Sequence, residues 1–159
     1  MARIPQHRLD AWRSLLNAHA AVIARAEEAL AEAGLPPLAW YDVLWAVRRT
    51  PRRRVRLGEL AEALTISRGG ATKLVDRLEA EGLLRREPVP GDRRGAYAVL
   101  TAKGEAMLRR MWPVYERVLV DVLGGLDAGR AAVLRKTLDA INERTRSRLS
   151  TPSQTAGVR

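Results

Sequence analysis

Residues 57–79 read LGELAEALTISRGGATKLVDRLE, and this stretch decides the fold. Its first eight residues, 57–64, predict a helix of about two turns, and Thr65 and Ile66 form a tight connection. Ser67 is a good N-cap for a second helix over residues 68–81, because its hydroxyl can accept from a free backbone N–H. The inner face of this second helix carries Ala71, Leu74, Val75 and Leu78. A short helix, a tight turn and a capped helix in this order are typical of a helix-turn-helix.

The outer face of the second helix is polar and small enough to enter a DNA major groove about 12 Å wide. It carries Arg68, Gly69, Gly70, Thr72, Lys73, Asp76 and Arg77. The two glycines weaken the first turn, but they allow the backbone to approach DNA and to aim its N–H groups at a phosphate. We therefore predict a recognition helix. The alternative is an ordinary amphipathic helix whose polar side is only solvated.

A basic hairpin follows the two helices. Residues 83–87 and 96–100 predict two short strands, and residues 88–95 predict a turn-rich loop between them. Arg93 and Arg94 would lie at the tip of this loop, where an arginine can enter a minor groove. Asp92 would be repelled by phosphate, so we expect it to orient Arg94 or to tie the loop to the recognition helix. The alternative is a solvent-exposed hairpin turn.

Long helices flank this central region. We predict an N-terminal helix over residues 6–33, a helix over 38–49, and two C-terminal helices within 102–149. The predicted fold is mainly α with a small β-hairpin wing, as one domain over residues 1–150. Its DNA-binding lobe would be residues 38–101, and both chain ends would supply dimerisation helices because their apolar stripes need a partner. The polar residues 151–159 would be a frayed tail.

The positive charge is concentrated in the middle of the chain. The 159 residues carry a net charge of +10, and residues 48–103 hold 14 Lys and Arg against 7 Asp and Glu. This stretch contains an arginine run: Arg48, Arg49, Arg52, Arg53, Arg54 and Arg56. Neutralising phosphates requires several cations on one face, so the distribution favours a nucleic-acid surface over two solvated basic loops.

Composition excludes several other classes of protein. No apolar run approaches the roughly 18–20 residues of a membrane span, and residues 1–8 do not resemble a secretion signal. The chain has no cysteine and only two histidines, so we expect no metal site and no thiol chemistry. It has no glycine-rich phosphate loop and no nucleophile–base pair, so we expect neither an enzyme nor a cofactor. A cytoplasmic location is expected.

The motifs together resemble the MarR (multiple antibiotic resistance regulator) family of transcription factors, from about Leu9 to Leu149. The resemblance rests on residues 57–64, 67–79 and 82–86, and most strongly on Asp92-Arg93-Arg94 followed by a strand and LTAKG at 100–104. It implies a homodimer with one winged helix per lobe. Residues matching Ser67, Arg68, Thr72, Lys73 and Arg77 would face the major groove or its phosphates.

The resemblance also assigns roles in the wing. The arginine matching Arg94 would reach the minor groove, and the aspartate matching Asp92 would hold it. The arginine run departs from the family pattern because it is more basic than the pattern requires. We therefore expect additional phosphate contacts there, at Arg53 and Arg54.

A small-molecule effector is a further expectation. Many family members hold an aromatic or anionic molecule between the dimer helices and the DNA-binding lobe. The candidate pocket residues are Trp12, His19, Trp40, Tyr41 and Trp45. Core packing is the more usual role of tryptophans at helical spacing, and we favour it for these residues.

The leading functional hypothesis is a dimeric, sequence-specific regulator of transcription, more often a repressor, bound to a palindromic operator in double-stranded DNA. The alternative is an architectural DNA-binding protein without sequence preference, which would use the same basic surface. A winged helix that serves only as a protein-interaction module would leave the wing arginines without an evident role.

Overall fold

The computed structural model describes residues 3–149, without the side chains of residues 93–94 and 146–149. The predicted frayed tail at 151–159 lies outside the described residues. The elements are α1 (Gln6–Glu32), α2 (Leu38–Arg48), a 3-10 turn (Pro51–Arg53), β1 (Arg54–Arg56), α3 (Leu57–Ala63), α4 (Arg68–Ala80), β2 (Leu84–Val89), β3 (Asp92–Leu100), α5 (Ala102–Leu123) and α6 (Ala128–Leu149). Helices α1, α2, α3, α4 and α6 end within one residue of the predicted position, and the predicted mainly-α fold with a small β wing is confirmed.

The sheet has three antiparallel strands in the order β1-β3-β2. Sequence analysis missed β1, because three residues within an arginine run give no alternating apolar pattern. Val55 is its one buried residue, and it lies opposite Ala98 of β3. β1 therefore adds a third strand to the hairpin by burying a single side chain.

The wing hairpin is longer than predicted. β2 and β3 are joined by the two residues Pro90 and Gly91, and Gly91 takes the left-handed φ of +78° that this tight turn requires. The prediction of a loop over residues 88–95 was therefore wrong. Proline lacks a backbone N–H, and Pro88 is compatible with strand β2 because the pairing of β2 with β3 shifts register next to it.

The core lies in the compact unit formed by residues 1–120. Apolar side chains of α2, α3, α4, the sheet and α5 are buried together: Val43, Leu44, Val47, Leu60, Val75, Leu78, Leu84, Ala98, Leu108 and Met111. Gly82 closes α4 with a φ of +68°, and the next residue's backbone N–H bonds to the Leu78 carbonyl at 2.8 Å. This turn carries the chain from the recognition helix directly into the wing.

The described residues from 121 onward, 121–149, belong to a second compact unit. Its helix α6 begins after Asp127, whose carboxylate accepts from the backbone N–H of Arg130 at 2.8 Å. The apolar residues Val133, Leu134 and Ile141 are exposed. None of the described helices is long and apolar enough to cross a membrane.

Candidate nucleic-acid interface

The start of α4 is held by the cap that the sequence predicts. The Ser67 hydroxyl accepts from the backbone N–H of Gly70 at 3.0 Å. Before it, Thr65 adopts a φ of +56°, and the backbone N–H of Ile66 donates to the Ala61 carbonyl at 3.0 Å. This left-handed residue makes the turn between α3 and α4 short, and it fixes the direction in which α4 leaves.

The outer face of α4 is exposed as predicted, while Ala71, Val75 and Leu78 are buried beneath it. Its exposed residues include Ser67, Arg68, Gly69, Thr72, Lys73, Asp76 and Arg77. Among the described residues, no ion pair includes the side chain of Arg68, Lys73 or Arg77. This face therefore presents three cations that form no ion pair within the described part of the chain.

Thr72 and Gly69 are two of the smaller residues of this face, and they differ in what surrounds them. The Thr72 hydroxyl donates to the Arg68 carbonyl at 2.9 Å, so its proton is used within the helix. A Cβ added to Gly69 would meet no heavy atom within 4 Å. The glycine is therefore not required by packing inside the lobe, and the space beside it is open to a partner.

A groove of about 460 Å³ separates the start of α4 from the wing. Its lining includes Arg68 and Thr72 of α4, Asp92 and Gly95 of β3, and Arg56 of β1. The structure therefore brings predicted residues of the recognition helix and the first residue of the wing strand to one groove.

Asp92 lies close to β1 and to the wing backbone. Its Oδ2 is 3.6 Å from Nη1 of Arg56. A Cβ at Gly95 would lie 2.5 Å from the same oxygen, so a glycine there leaves the space that the carboxylate occupies. The side chains of Arg93 and Arg94 are outside the described residues, so the contact of Asp92 with Arg94 stays a prediction.

Several arginines of the run form ion pairs within the protein. Arg48 and Arg53 lie 3.2 and 3.6 Å from the carboxylate of Glu105, whose side chain is only 12% exposed. Arg54 lies 3.8 Å from Glu87, and its guanidinium stands 4.7 Å from the centre of the Tyr97 ring. Two carboxylates, Glu105 and Glu87, are thus paired with three of the six arginines of the run.

The arginine run differs in position along its length. Arg54 pairs with Val99 of β3 and, like Arg53, is not among the described residues that line the groove, whereas Arg56 lines it and lies 3.6 Å from Asp92. The structure therefore does not bring Arg53 and Arg54 together with the recognition-helix residues. Sequence analysis missed Glu105, and an isolated carboxylate in a long helix gives no signal of its role.

Arg86 is a second residue that sequence analysis did not single out. Its guanidinium contacts Asp76 at 2.6 Å and Glu79 at 3.2 Å, both on α4. Asp76, which the sequence placed on the DNA-facing side, is therefore paired with the wing.

An aromatic cluster joins α2 and α5. The ring of Tyr41 lies 6.1 Å from Trp45, 6.3 Å from Trp112 and 5.2 Å from Tyr115, measured between centroids. Burial raises the pKa of both tyrosines, so their phenols stay neutral at pH 7. Trp112 and Tyr115 were missed, although their spacing of three residues on one helix could have indicated a shared face.

The other predicted ligand residues lie elsewhere. Trp12 and His19 are exposed on α1, and Trp40 packs partly buried against the core. Within residues 3–149, the ring contacts include none of these three side chains. The same part of the chain holds no group of three or more acidic or histidine side chains that could bind a metal ion.

Comparison with known proteins gives consistent matches. The model of the MarR family matches residues 33–95, which run from the end of α1 into the wing. The HTH-type transcriptional repressor NicR of Pseudomonas putida is 36% identical over 86 residues, covering 52% of this chain and 54% of NicR. The HTH-type transcriptional regulator PecS of Dickeya dadantii is 30% identical over 104 residues, covering 65% of this chain and 63% of PecS. This chain thus spans a little over half the length of these relatives.

A solved structure matches over almost the full chain. Sco3205, a MarR family transcriptional regulator from Streptomyces coelicolor crystallised in complex with DNA, superposes with a TM-score of 0.83 at 27% identity. The match covers 99% of this chain and 97% of Sco3205. The likeness therefore extends beyond the winged helix to the helices at both chain ends.

Proposed function

The chain is a member of the MarR family, and on that premise we propose that it is a sequence-specific DNA-binding regulator of transcription, acting as a cytoplasmic repressor. The resemblance drawn from the sequence motifs is confirmed by the family model and by the structural match. The matched proteins are transcription regulators, so the prediction that the chain is not an enzyme is also confirmed.

The observation that carries the proposal is a set of cations on α4 that have no ion pair among the described residues. Arg68, Lys73 and Arg77 stay exposed, while Arg48, Arg53 and Arg54 of the arginine run are paired with carboxylates of the same chain. Phosphates would supply the missing partners of these three cations. In the proposed complex, Ser67, Gly69 and Thr72 face the major groove with them, and the wing residues Asp92, Arg93 and Arg94 reach the minor groove.

A homodimer on a palindromic operator is the second part of the proposal. Trp12, Leu16 and Ile23 of α1 are 37–55% exposed, and α6 exposes a further apolar set. Apolar surface on two long helices favours burial against a second copy. We expect a mass near twice 17.6 kDa in sedimentation at micromolar concentration. A monodisperse monomer that binds a palindrome with full affinity would contradict this part.

A small aromatic or anionic effector that releases the DNA is the third part. The aromatic cluster, with Trp45 only partly covered and Arg48 5.3 Å over its ring, combines planar apolar surface with a cation. We expect candidate aromatic carboxylates to quench tryptophan fluorescence and to weaken DNA binding at the same concentrations. Quenching that is lost in Trp12→Phe but retained in Trp45→Phe would place the ligand elsewhere.

Selection of bound sites from random double-stranded DNA tests the proposed function. We expect a palindromic consensus and a preference for it over random DNA of about 10³ or more at physiological salt. Tight binding without any enriched sequence would favour the architectural alternative. Absence of DNA binding would refute both hypotheses.

A further inference from the structure

Arg86 of β2 is joined to the recognition helix by three contacts. Its Nη2 lies 2.6 Å from Oδ1 of Asp76, and its Nη1 donates to Oε2 of Glu79 at 3.2 Å. Its backbone N–H donates to the other oxygen of Glu79 at 2.8 Å. Glu79 is thereby held at both carboxylate oxygens by one residue, an arrangement that restricts rotation more than a single ion pair does.

These contacts lie beside the exposed face of α4. Asp76 belongs to that face, next to Arg77, whereas Glu79 is partly buried. Arg86 pairs with Ala98 of β3 and lies three residues along β2 from Val89, which pairs with Asp92, a separation of about 10 Å along a strand. The guanidinium is therefore occupied at the base of the wing, where it contacts α4 rather than phosphate.

The position of this contact has a consequence for DNA recognition. A recognition helix and a wing that enter different grooves must keep a fixed mutual angle, because both must reach base edges in one register. We propose that Arg86 is a positioning residue that sets the orientation of α4 relative to the wing, and that it thereby determines specificity. The inference rests on the proposed function, since it concerns the same DNA-binding surface.

The neighbouring Arg85 provides a matched control. It pairs with Glu87 of its own strand, and its side chain is 59% exposed against 30% for Arg86. Replacing either arginine by glutamine removes one positive charge from β2. Arg85→Gln leaves Glu87 paired with Arg54, whereas Arg86→Gln removes the ion pairs of β2 with Asp76 and Glu79 of α4.

The experiment compares wild type, Arg86→Gln, Arg85→Gln and the double variant Asp76→Asn/Arg86→Gln on the selected operator and on random DNA, each over a range of salt. For Arg86→Gln we expect the ratio of operator to random affinity to fall at least tenfold, about the discrimination that one mismatched base pair costs. The slope of log affinity against log salt concentration should stay at the wild-type value, because no phosphate contact is lost. Arg85→Gln should keep the ratio, and the double variant should stay impaired.

Three outcomes would overturn the inference. Equal ratios in Arg86→Gln and Arg85→Gln would show that only the charge matters. A slope lowered by about one would make Arg86 a phosphate contact. A wild-type ratio in the double variant would reduce the role of Arg86 to neutralising Asp76. If Arg86→Gln does not fold, Arg86→Lys should show a smaller fall in the ratio, because an ammonium cannot hold two carboxylates with the same geometry.

A measurement without DNA separates this inference from the proposed function. Residual dipolar couplings of the free protein report the angle between α4 and the hairpin. We expect a broader distribution of angles in Arg86→Gln and an unchanged one in Arg85→Gln. Absence of operator binding in wild type would refute the proposed function, whereas unchanged couplings in Arg86→Gln would refute the positioning role.

Discussion

The arginine run and the recognition helix are both basic in sequence, but their charges are used differently in the structure. In the arginine run, Arg48 and Arg53 share the nearly buried carboxylate of Glu105, and Arg54 is paired with Glu87. On α4, Lys73 and Arg77 have no such partner among the described residues. Four of the six arginines of the denser cluster are thus paired with carboxylates, whereas these two cations of α4 are not.

The comparison teaches that the local density of arginines does not identify a phosphate-binding surface. A cation contributes to DNA affinity when its charge is free to displace counterions from phosphate. A carboxylate supplied by a distant part of the chain, as Glu105 of α5 is, removes that freedom. The arginine run should therefore govern the stability of the fold, and α4 should govern binding.

The largest expected effect is on binding, from the double variant Lys73→Ala/Arg77→Ala. We expect operator affinity to fall about hundredfold at fixed salt, because each charged contact contributes about a factor of ten. The thermal midpoint should change little, since both side chains are exposed. Gel-shift titration and a thermal melt measure the two quantities. An unfolded double variant, or one with wild-type affinity for the operator, would contradict the claim that α4 governs binding rather than stability.

The second effect is on stability, from Glu105→Gln. Loss of the carboxylate leaves Arg48, Arg53 and Arg109 close together without a neutralising charge. We expect the free energy of unfolding to fall by about 1–2 kcal/mol. The expected loss is this small because the three arginines are partly exposed to solvent, which screens their charges. Urea unfolding measures it. Glu116→Gln, at an exposed position of the same helix, is the control and should change stability by only a few tenths of a kcal/mol. Equal losses in the two variants would argue against the ion-pair cluster.

Two glycine substitutions should have opposite effects on stability. Gly95→Ala places a Cβ 2.5 Å from Asp92, so we expect a loss of about 1 kcal/mol and weaker operator binding. Gly69→Ala meets open space in the first turn of α4, so we expect a gain of about 0.5–1 kcal/mol. Binding should nevertheless weaken in Gly69→Ala, because the methyl group would stand between the backbone and DNA. Stronger operator binding in that variant would show that this turn does not approach DNA.

The smallest effect concerns which base is preferred at Thr72. Its hydroxyl proton is committed to the Arg68 carbonyl, which leaves the methyl group as the side chain's apolar contact with a base. Thr72→Ser should therefore alter the preferred base, by about 1 kcal/mol or less, while Thr72→Val should preserve the preference. Repeating the site selection with both variants measures this. A changed preference only in Thr72→Val would assign the readout to the hydroxyl.

Local signals were sufficient to predict most of the fold. The Ser67 cap, the Gly82 terminus and the apolar spacing of each helix are encoded by neighbouring residues. The wing was harder, because Pro88 and Gly91 indicate a loop unless the pairing between β2 and β3 is known. β1 could not be predicted, since three residues acquire strand geometry only from the strand beside them.

The candidate site, like the fold, could be predicted only where neighbouring residues determine the structure. The outer face of α4 followed from helical spacing alone, so its exposed residues could be named from the sequence. The partners of the arginines could not, because Glu105 lies more than fifty residues beyond Arg48 and Arg53. Arg86 was passed over for the same reason, since its role depends on carboxylates of α4 that only the folded chain brings to it.

The salt dependence of operator binding tests the central claim most directly. It is measured for wild type, for Lys73→Ala/Arg77→Ala and for Arg53→Ala/Arg54→Ala on the same operator. We predict that the slope of log affinity against log salt falls by about 1.8 in the α4 variant, about 0.9 for each phosphate contact, and stays unchanged in the arginine-run variant. A slope that falls as much in the arginine-run variant, or that does not fall in the α4 variant, would contradict the account.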